Sequence, residues 1–295
     1  MALEDFTYGL DLLYYVLKSG SQNAATSDRY AADVKAAIRK EYWEILCLEP
    51  WNFALASSPG VITTVAAQDV TVSSISGATV TLSATIATSQ AGRKFYLDAN
   101  QSMYRISAHT AGTATLTLDA TYVEDQTSGA ATIFQDEYSL ASTAMRVWDP
   151  LYLRGQFEGE LPIIGIKEFK ARDGQHISVM GPPEAATEIR RDSSGYMRLQ
   201  LAPWSEDRVN IEYDYTVFHD LDFTGAGAGD TPKLPREDRW IIGERALWTL
   251  FRNKDDSLAD SAWKRAEAGI NSLRDKNLKR GRSRLWSRSG NSLSG

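Results

Sequence analysis

The chain has a single cysteine, Cys47, so an internal disulfide is excluded. Its neighbours Ile45, Leu46 and Leu48 set the thiol in an apolar stretch, which favours a buried group over a reactive one. Histidine is almost as scarce. His109, His176 and His219 stand far apart and no helix carries two at ligand spacing, so each reads as an ordinary sheet or loop residue, although folding can bring distant ligands together. No apolar run approaches the length of a membrane span. Met1 to Lys18 lacks the basic start and continuous apolar block of a signal peptide, so the expected place of folding is the cytosol.

Motifs of nucleotide and acyl chemistry are missing as well. The glycine run from Gly225 to Gly229 meets Pro232 and Pro235, with no Lys-Ser or Lys-Thr behind it, and reads as a linker where a phosphate loop would open onto a helix. No Gly-x-Ser-x-Gly turn exists for an activated serine. Asp and Glu number 38, so a carboxylate pair assembled in space stays open, because such a pair leaves no local mark in sequence. No catalytic, cofactor-binding or metal-ligating residue is assigned, and no cofactor is expected.

What is present is helix at both ends and β structure between. Ser27 is placed to cap a helix in which Val34, Ile38, Tyr42 and Ile45 recur at three- or four-residue steps, until Pro50 ends it. Pro235 stands where a helix can begin, and Ile242, Ala246, Leu247 and Leu250 form a stripe interrupted at Asp255 and Asp256. A second stripe follows through Leu258, Ala262, Trp263, Ala266, Ile270 and Leu273, so residues 235–278 read as an αα-hairpin. Burying a large apolar side chain stabilises by roughly 1.5–3 kcal/mol, and the two helical ends gain most by packing together.

Residues 57–137 shift to Ala, Ser, Thr and Val. Val70, Val72, Val80 and Leu82 alternate around Ser76 and Gly77 as a hairpin, and Phe95 with Leu97, Tyr104 with Ile106, and Leu116 with Leu118 continue the pattern, Gly112 marking a turn. A small antiparallel sheet or barrel is expected, inserted near Ser58-Pro59-Gly60. A second β region spans about 138–224, with a turn expected at Asp173-Gly174 and alternating strands from Met197 to Leu201 and from Val209 to Tyr213.

The predicted fold class is therefore α+β: a helical bundle formed by the N- and C-terminal segments, a small antiparallel β barrel or sandwich insertion, and a second β region. The segments run 1–56, 57–137, 138–229, 230–278 and 279–295, the last a basic flexible tail; length alone suggests one to three domains. Clustered aromatics, Trp43, Trp51 and Phe53 at one end and Trp240, Trp248 and Trp263 at the other, suit a stacking surface but fit core packing better.

Charge is polarised along the chain. The formal net charge is −6, yet residues 274–288 carry seven basic residues against Asp275, a local balance of +6 that leaves −12 for the rest. Such an acidic body argues against general nucleic-acid binding, whereas the tail suits nucleic acid or an acidic protein groove. Within it Lys279, Arg280, Arg282, Arg284 and Arg288 surround Leu285 and Trp286. Trp286 reads as an anchor in a partner's pocket or as part of a solvated tail.

The order of the pieces resembles the adaptor, or head-to-tail connector, proteins of tailed bacteriophages. The residues that carry the resemblance are Glu49-Pro50-Trp51-Asn52-Phe53, the stretches Met103 to Ile106 and Thr115 to Asp119, Glu137 to Leu140, Gly181-Pro182, Leu199 to Pro203, Tyr213 to Tyr215, and Lys233 to Gly243 followed by the Trp263 helix. Specificity lies in their order over nearly the whole chain; the β insertion is larger than the resemblance leads one to expect. The resemblance implies a non-enzymatic virion component at the head-to-tail interface, assembled in the host cytoplasm. Its implied partners are the portal protein, the next tail component (nozzle or tail tube), further copies in a dodecameric ring, and DNA passing without sequence specificity; no membrane is involved. Lys279, Arg280, Arg282, Arg284, Leu285, Trp286 and Arg288 become the expected portal contacts. A carbohydrate-binding tail or baseplate protein is the alternative, followed by a cell-wall hydrolase.

Overall fold

A computed structural model of the chain describes residues 6–20, 28–99, 102–155, 158–176, 181–205, 207–223, 231–253 and 256–288, without the side chains of 20, 28–29, 173–176, 256 and 279–288. The fold is mixed α+β, with a closed six-stranded antiparallel barrel and five α-helices among these residues. Two compact units divide it: Met1–Ser57 together with Tyr215–Gly295, and Ser58–Asp214.

The first unit holds helices α1 (Gly9–Gly20), α2 (Asp28–Leu48), α4 (Trp240–Phe251) and α5 (Asp256–Arg288), while α3 (Ile166–His176) belongs to the second. Leu12 and Val16 of α1, Val34, Ile38, Tyr42 and Ile45 of α2, Ile241, Ile242 and Ala246 of α4, and Ala262, Ala266, Ile270 and Leu273 of α5 are buried in one core. The predicted periodicities thus face a common interior. Helix α1 was not anticipated, and the predicted Ser27 cap lies outside the described residues. Trp263 departs from its expected place in the core: it is only half-buried, its ring lying 4.6 Å from that of Trp248 in a tilted pair at the margin, with the Arg245 guanidinium 5.7 Å from its centroid.

Polar ties hold the same helices in register. Arg245 donates from Nε to Glu41 at 2.6 Å and from Nη2 to Glu44 at 2.8 Å, joining α4 to α2, while the Thr249 hydroxyl also donates to Glu41. Tyr15 of α1 donates to Glu244 at 2.6 Å, whose other oxygen accepts from Arg265 of α5 at 2.9 Å. The segment leaving α2 meets strand β15 (Tyr215–Val217), since the Val217 amide donates to the Ala54 carbonyl and the Ala56 amide to that of Tyr215. The chain therefore leaves and re-enters this unit at one place.

Helix α5 continues to Arg288, ten residues beyond the predicted end at 278. Lys, Arg and Leu are strong helix formers and no proline follows, so Gly281 alone interrupts the propensity. Its 33 residues correspond to about 50 Å of helix. Arg274 and Lys276, two of the seven basic residues, are held within the unit by Glu49 at 2.9 Å and Asp238 at 2.7 Å.

The second unit begins with strand β1 (Gly60–Thr63) and continues into the barrel: β2 (Gln68–Ser76), β3 (Thr79–Ile86), β4 (Lys94–Leu97), β5 (Tyr104–His109), β6 (Thr113–Leu118) and β7 (Gly129–Phe134), closed in the order β2-β3-β6-β5-β4-β7. Alternate residues such as Val80, Leu82, Phe95, Leu97, Ile106 and Leu116 fill it. The tight turns at Gly77 and Gly112 adopt φ of 59° and 81°, the left-handed region glycine tolerates.

After the barrel come β8 (Glu137–Ser139), β9 (Ala144–Val147), β10 (Leu151–Arg154), β11 (Gly159–Leu161), α3 (Ile166–His176), β12 (Ala185–Ile189), β13 (Arg198–Ala202) and β14 (Asn210–Tyr213). Apart from β9, these strands form, with β1, a three-stranded sheet β12-β13-β8 and a four-stranded sheet β1-β14-β10-β11. Strand β1, before the barrel, thus pairs with β14, far after it. The expected turn at Asp173-Gly174 is instead inside α3. Residues 167–172 favour helix, Glu168 and Arg172 pair across one turn at 2.7 Å, and burial of Phe169 fixes the helix on the sheet.

Candidate functional site

A broad concavity of the second unit lies on one face of the β12-β13-β8 sheet. Strand pairing places Ala185 beside Ala202, Gln200 beside Thr187 and Glu137, and Arg198 beside Ile189 and Ser139, all on that face because side chains two apart share a side. Helix α3 covers one end of the face by packing Phe169 on Ala185 and Ala202. The other end stays open as a groove of about 980 Å³, walled by Ile166 and Lys170 of α3, by residues 190–193 and by Gly92 and Arg105 of the barrel.

Five cations line this groove, Arg105, Lys170, Arg190, Arg191 and Arg198, against two carboxylates, Glu137 and Asp192. At its base Glu137 accepts a hydrogen bond from Arg198 and has Lys94 at 3.8 Å and Arg105 at 3.9 Å. The neighbouring Asp136 is buried and accepts from Lys94 at 2.6 Å and Gln200 at 2.7 Å. Tyr138, whose hydroxyl donates to the Gln135 carbonyl and accepts from the Val65 amide, has its pKa pushed up to about 12 by burial. Asp192 is held below the ordinary aspartate value, first by the Tyr196 amide and then by Ser139 and the Ser194 amide, which order the loop beside the groove. Lys170 and Arg190 are exposed and have no carboxylate within 4 Å among the described residues. A mixed cationic and aliphatic trough of this kind suits a carboxylate-bearing surface, which guanidinium groups bind with two parallel hydrogen bonds.

The structure describes none of the side chains from Lys279 to Arg288, so the predicted portal contacts Lys279, Arg280, Arg282, Arg284, Leu285, Trp286 and Arg288 are located only as helical backbone. Sequence reading missed the groove. Its cations come from β5, α3, the end of β12 and β13, and the Arg190-Arg191 pair was the one local signal. Of the clustered aromatics, Trp51 is wholly buried and its indole donates to the Ile45 carbonyl at 2.6 Å, while Trp43 donates to that of His219 at 3.0 Å. Among the described residues there is no group of three or more His, Cys, Asp or Glu side chains able to hold a metal ion, and no helix is long and apolar enough to cross a membrane. No protein-family model and no curated protein matches the chain.

Proposed function

We propose that the protein is a structural adaptor of a tailed bacteriophage, without enzymatic activity, that forms a ring below the portal, extends the DNA channel and connects the head to the next tail component. The observation that carries this is the order of the motifs from Glu49 to Trp263, which resembles the adaptor family over nearly the whole chain. The motif residues serve as joints. Trp51 closes the end of α2, Asn52 donates to Asn277 of α5 at 2.9 Å, and Arg239 donates to the Phe6 and Thr7 carbonyls at the start of α4.

In this role the four helices of the first unit act as a helical bundle built from both ends of the chain, and the β unit is presented as an excursion from it. The acidic body keeps the channel from gripping DNA, and many modest contacts act together around a ring. The basic end of α5, from Lys279 to Arg288, reaches onto the portal, with its arginines pairing to carboxylates and Trp286 filling an apolar pocket. The test is size-exclusion chromatography with light scattering of the full chain mixed with its cognate portal. Co-elution with a mass increment of a complete ring is expected; separate elution at micromolar concentrations contradicts the proposal.

A further inference from the structure

The β unit carries a second surface that matches the groove in shape of chemistry and opposes it in charge. On the four-stranded sheet, Val61, Glu212, Tyr152 and Glu160 form one row across β1, β14, β10 and β11. Arg154 and Asn210 lie in the adjoining row of the same face, and Glu158 stands just before β11. The opposite face, with Leu151, Leu153, Leu161, Ile62 and Ile211, is buried, so this one is turned to solvent. Val61, on the edge strand β1, is 56% exposed. Arg154 is engaged by Glu212 at 2.9 Å, whereas Glu158 and Glu160 are exposed with no cation at ion-pair distance among the described residues. The groove mirrors this pattern: Ile166, 42% exposed, and Ile189 lie among Lys170, Arg190 and Arg191.

We infer that the groove of one copy receives the acidic sheet face of the next. The inference rests on the ring proposed above and names the surfaces that close it. Two different patches of one molecule meeting in this way make a heterologous contact, which generates a ring when its rotation closes. Glu158 and Glu160 meet Lys170 and Arg190, while Val61 and Tyr152 cover the isoleucines. Exposed charge pairs of this kind fix register and encounter rate more than affinity, which suits copies that assemble only when the portal gathers them. A nucleic-acid backbone fits less well, because it leaves the isoleucines with no apolar surface to meet.

The test uses the full chain with its cognate portal and reads ring completeness by mass photometry and negative-stain images. Lys170→Glu with Arg190→Glu reverses two exposed charges and is expected to leave the melting temperature unchanged while ring formation falls on the order of tenfold. The neutral pair Lys170→Gln and Arg190→Gln gives an intermediate loss. Adding Glu158→Lys and Glu160→Lys to the reversed chain restores rings. Complete rings from the reversed chain, or no recovery on the charge swap, overturn the inference and leave the adaptor role standing. Groove-dependent binding of a short single-stranded oligonucleotide with rings intact also overturns it, assigning the groove to phosphate. A wild-type chain that forms no ring on the portal removes the adaptor role itself.

Discussion

Replacing Arg245 by alanine strikes the polar tie between the two ends of the chain. Glu41 is 0% exposed and takes hydrogen bonds from Arg245 and Thr249, while Lys40 stands 3.7 Å away. Removing one partner of a buried ion pair strands the other charge and costs about 3–5 kcal/mol. Thr249 and Lys40 still offer Glu41 partial compensation, so the lower end, about 3 kcal/mol, is expected. At about 2–4 °C per kcal/mol for a chain this large, the helical circular-dichroism transition should fall by roughly 6–12 °C. The control is Arg245→Met combined with Glu41→Leu, which removes both charges and should recover most of the loss, because an apolar replacement of a buried pair is often neutral. An unchanged transition in Arg245→Ala, or a double variant as unstable as the single one, refutes the assignment of this pair to a buried contact between α2 and α4.

Three further outcomes follow from other contacts. A Cβ at Gly269 would lie 2.6 Å from Cγ1 of the wholly buried Ile241, so Gly269→Val should destabilise by about 1–3 kcal/mol in urea denaturation. Tyr138 has its pKa raised from 10.0 to about 12, so the folded state holds that proton longer than the unfolded chain does. Its contribution is fully present below pH 10.0 and lost as pH rises through about 12, and Tyr138→Phe should flatten this part of a stability-against-pH curve. Deleting residues 279–295 should abolish portal attachment with almost no change in melting temperature, because Leu273 is the last described residue of α5 in the core; retained attachment at full affinity ends the role given to Lys279 to Arg288.

Periodicity revealed α2, α4 and α5 because each buries one stripe against the same core. It failed for α3, where Ile163, Ile164 and Ile166 have the β-branched look of a strand and Asp173-Gly174 that of a turn. There the helix propensity of residues 167–172 and the burial of Phe169 decide the outcome. Five of the six barrel strands were readable from alternation and β7 was not, and the choice between an open sheet and a barrel stayed undecided because closure depends on β2 pairing with β7 about sixty residues away. The groove was hidden for a related reason. Arg105 and Arg198 are brought together only because both meet Glu137, and an acidic overall composition gave no hint that cations collect there.

The adaptor role itself is tested most directly by electron microscopy of the cognate portal incubated with the full chain. Side views should gain a layer of density on the portal's tail-facing side, and end views a closed ring with twelve-fold symmetry around an open channel. Portals that remain bare, or that carry density away from the channel axis, contradict the account.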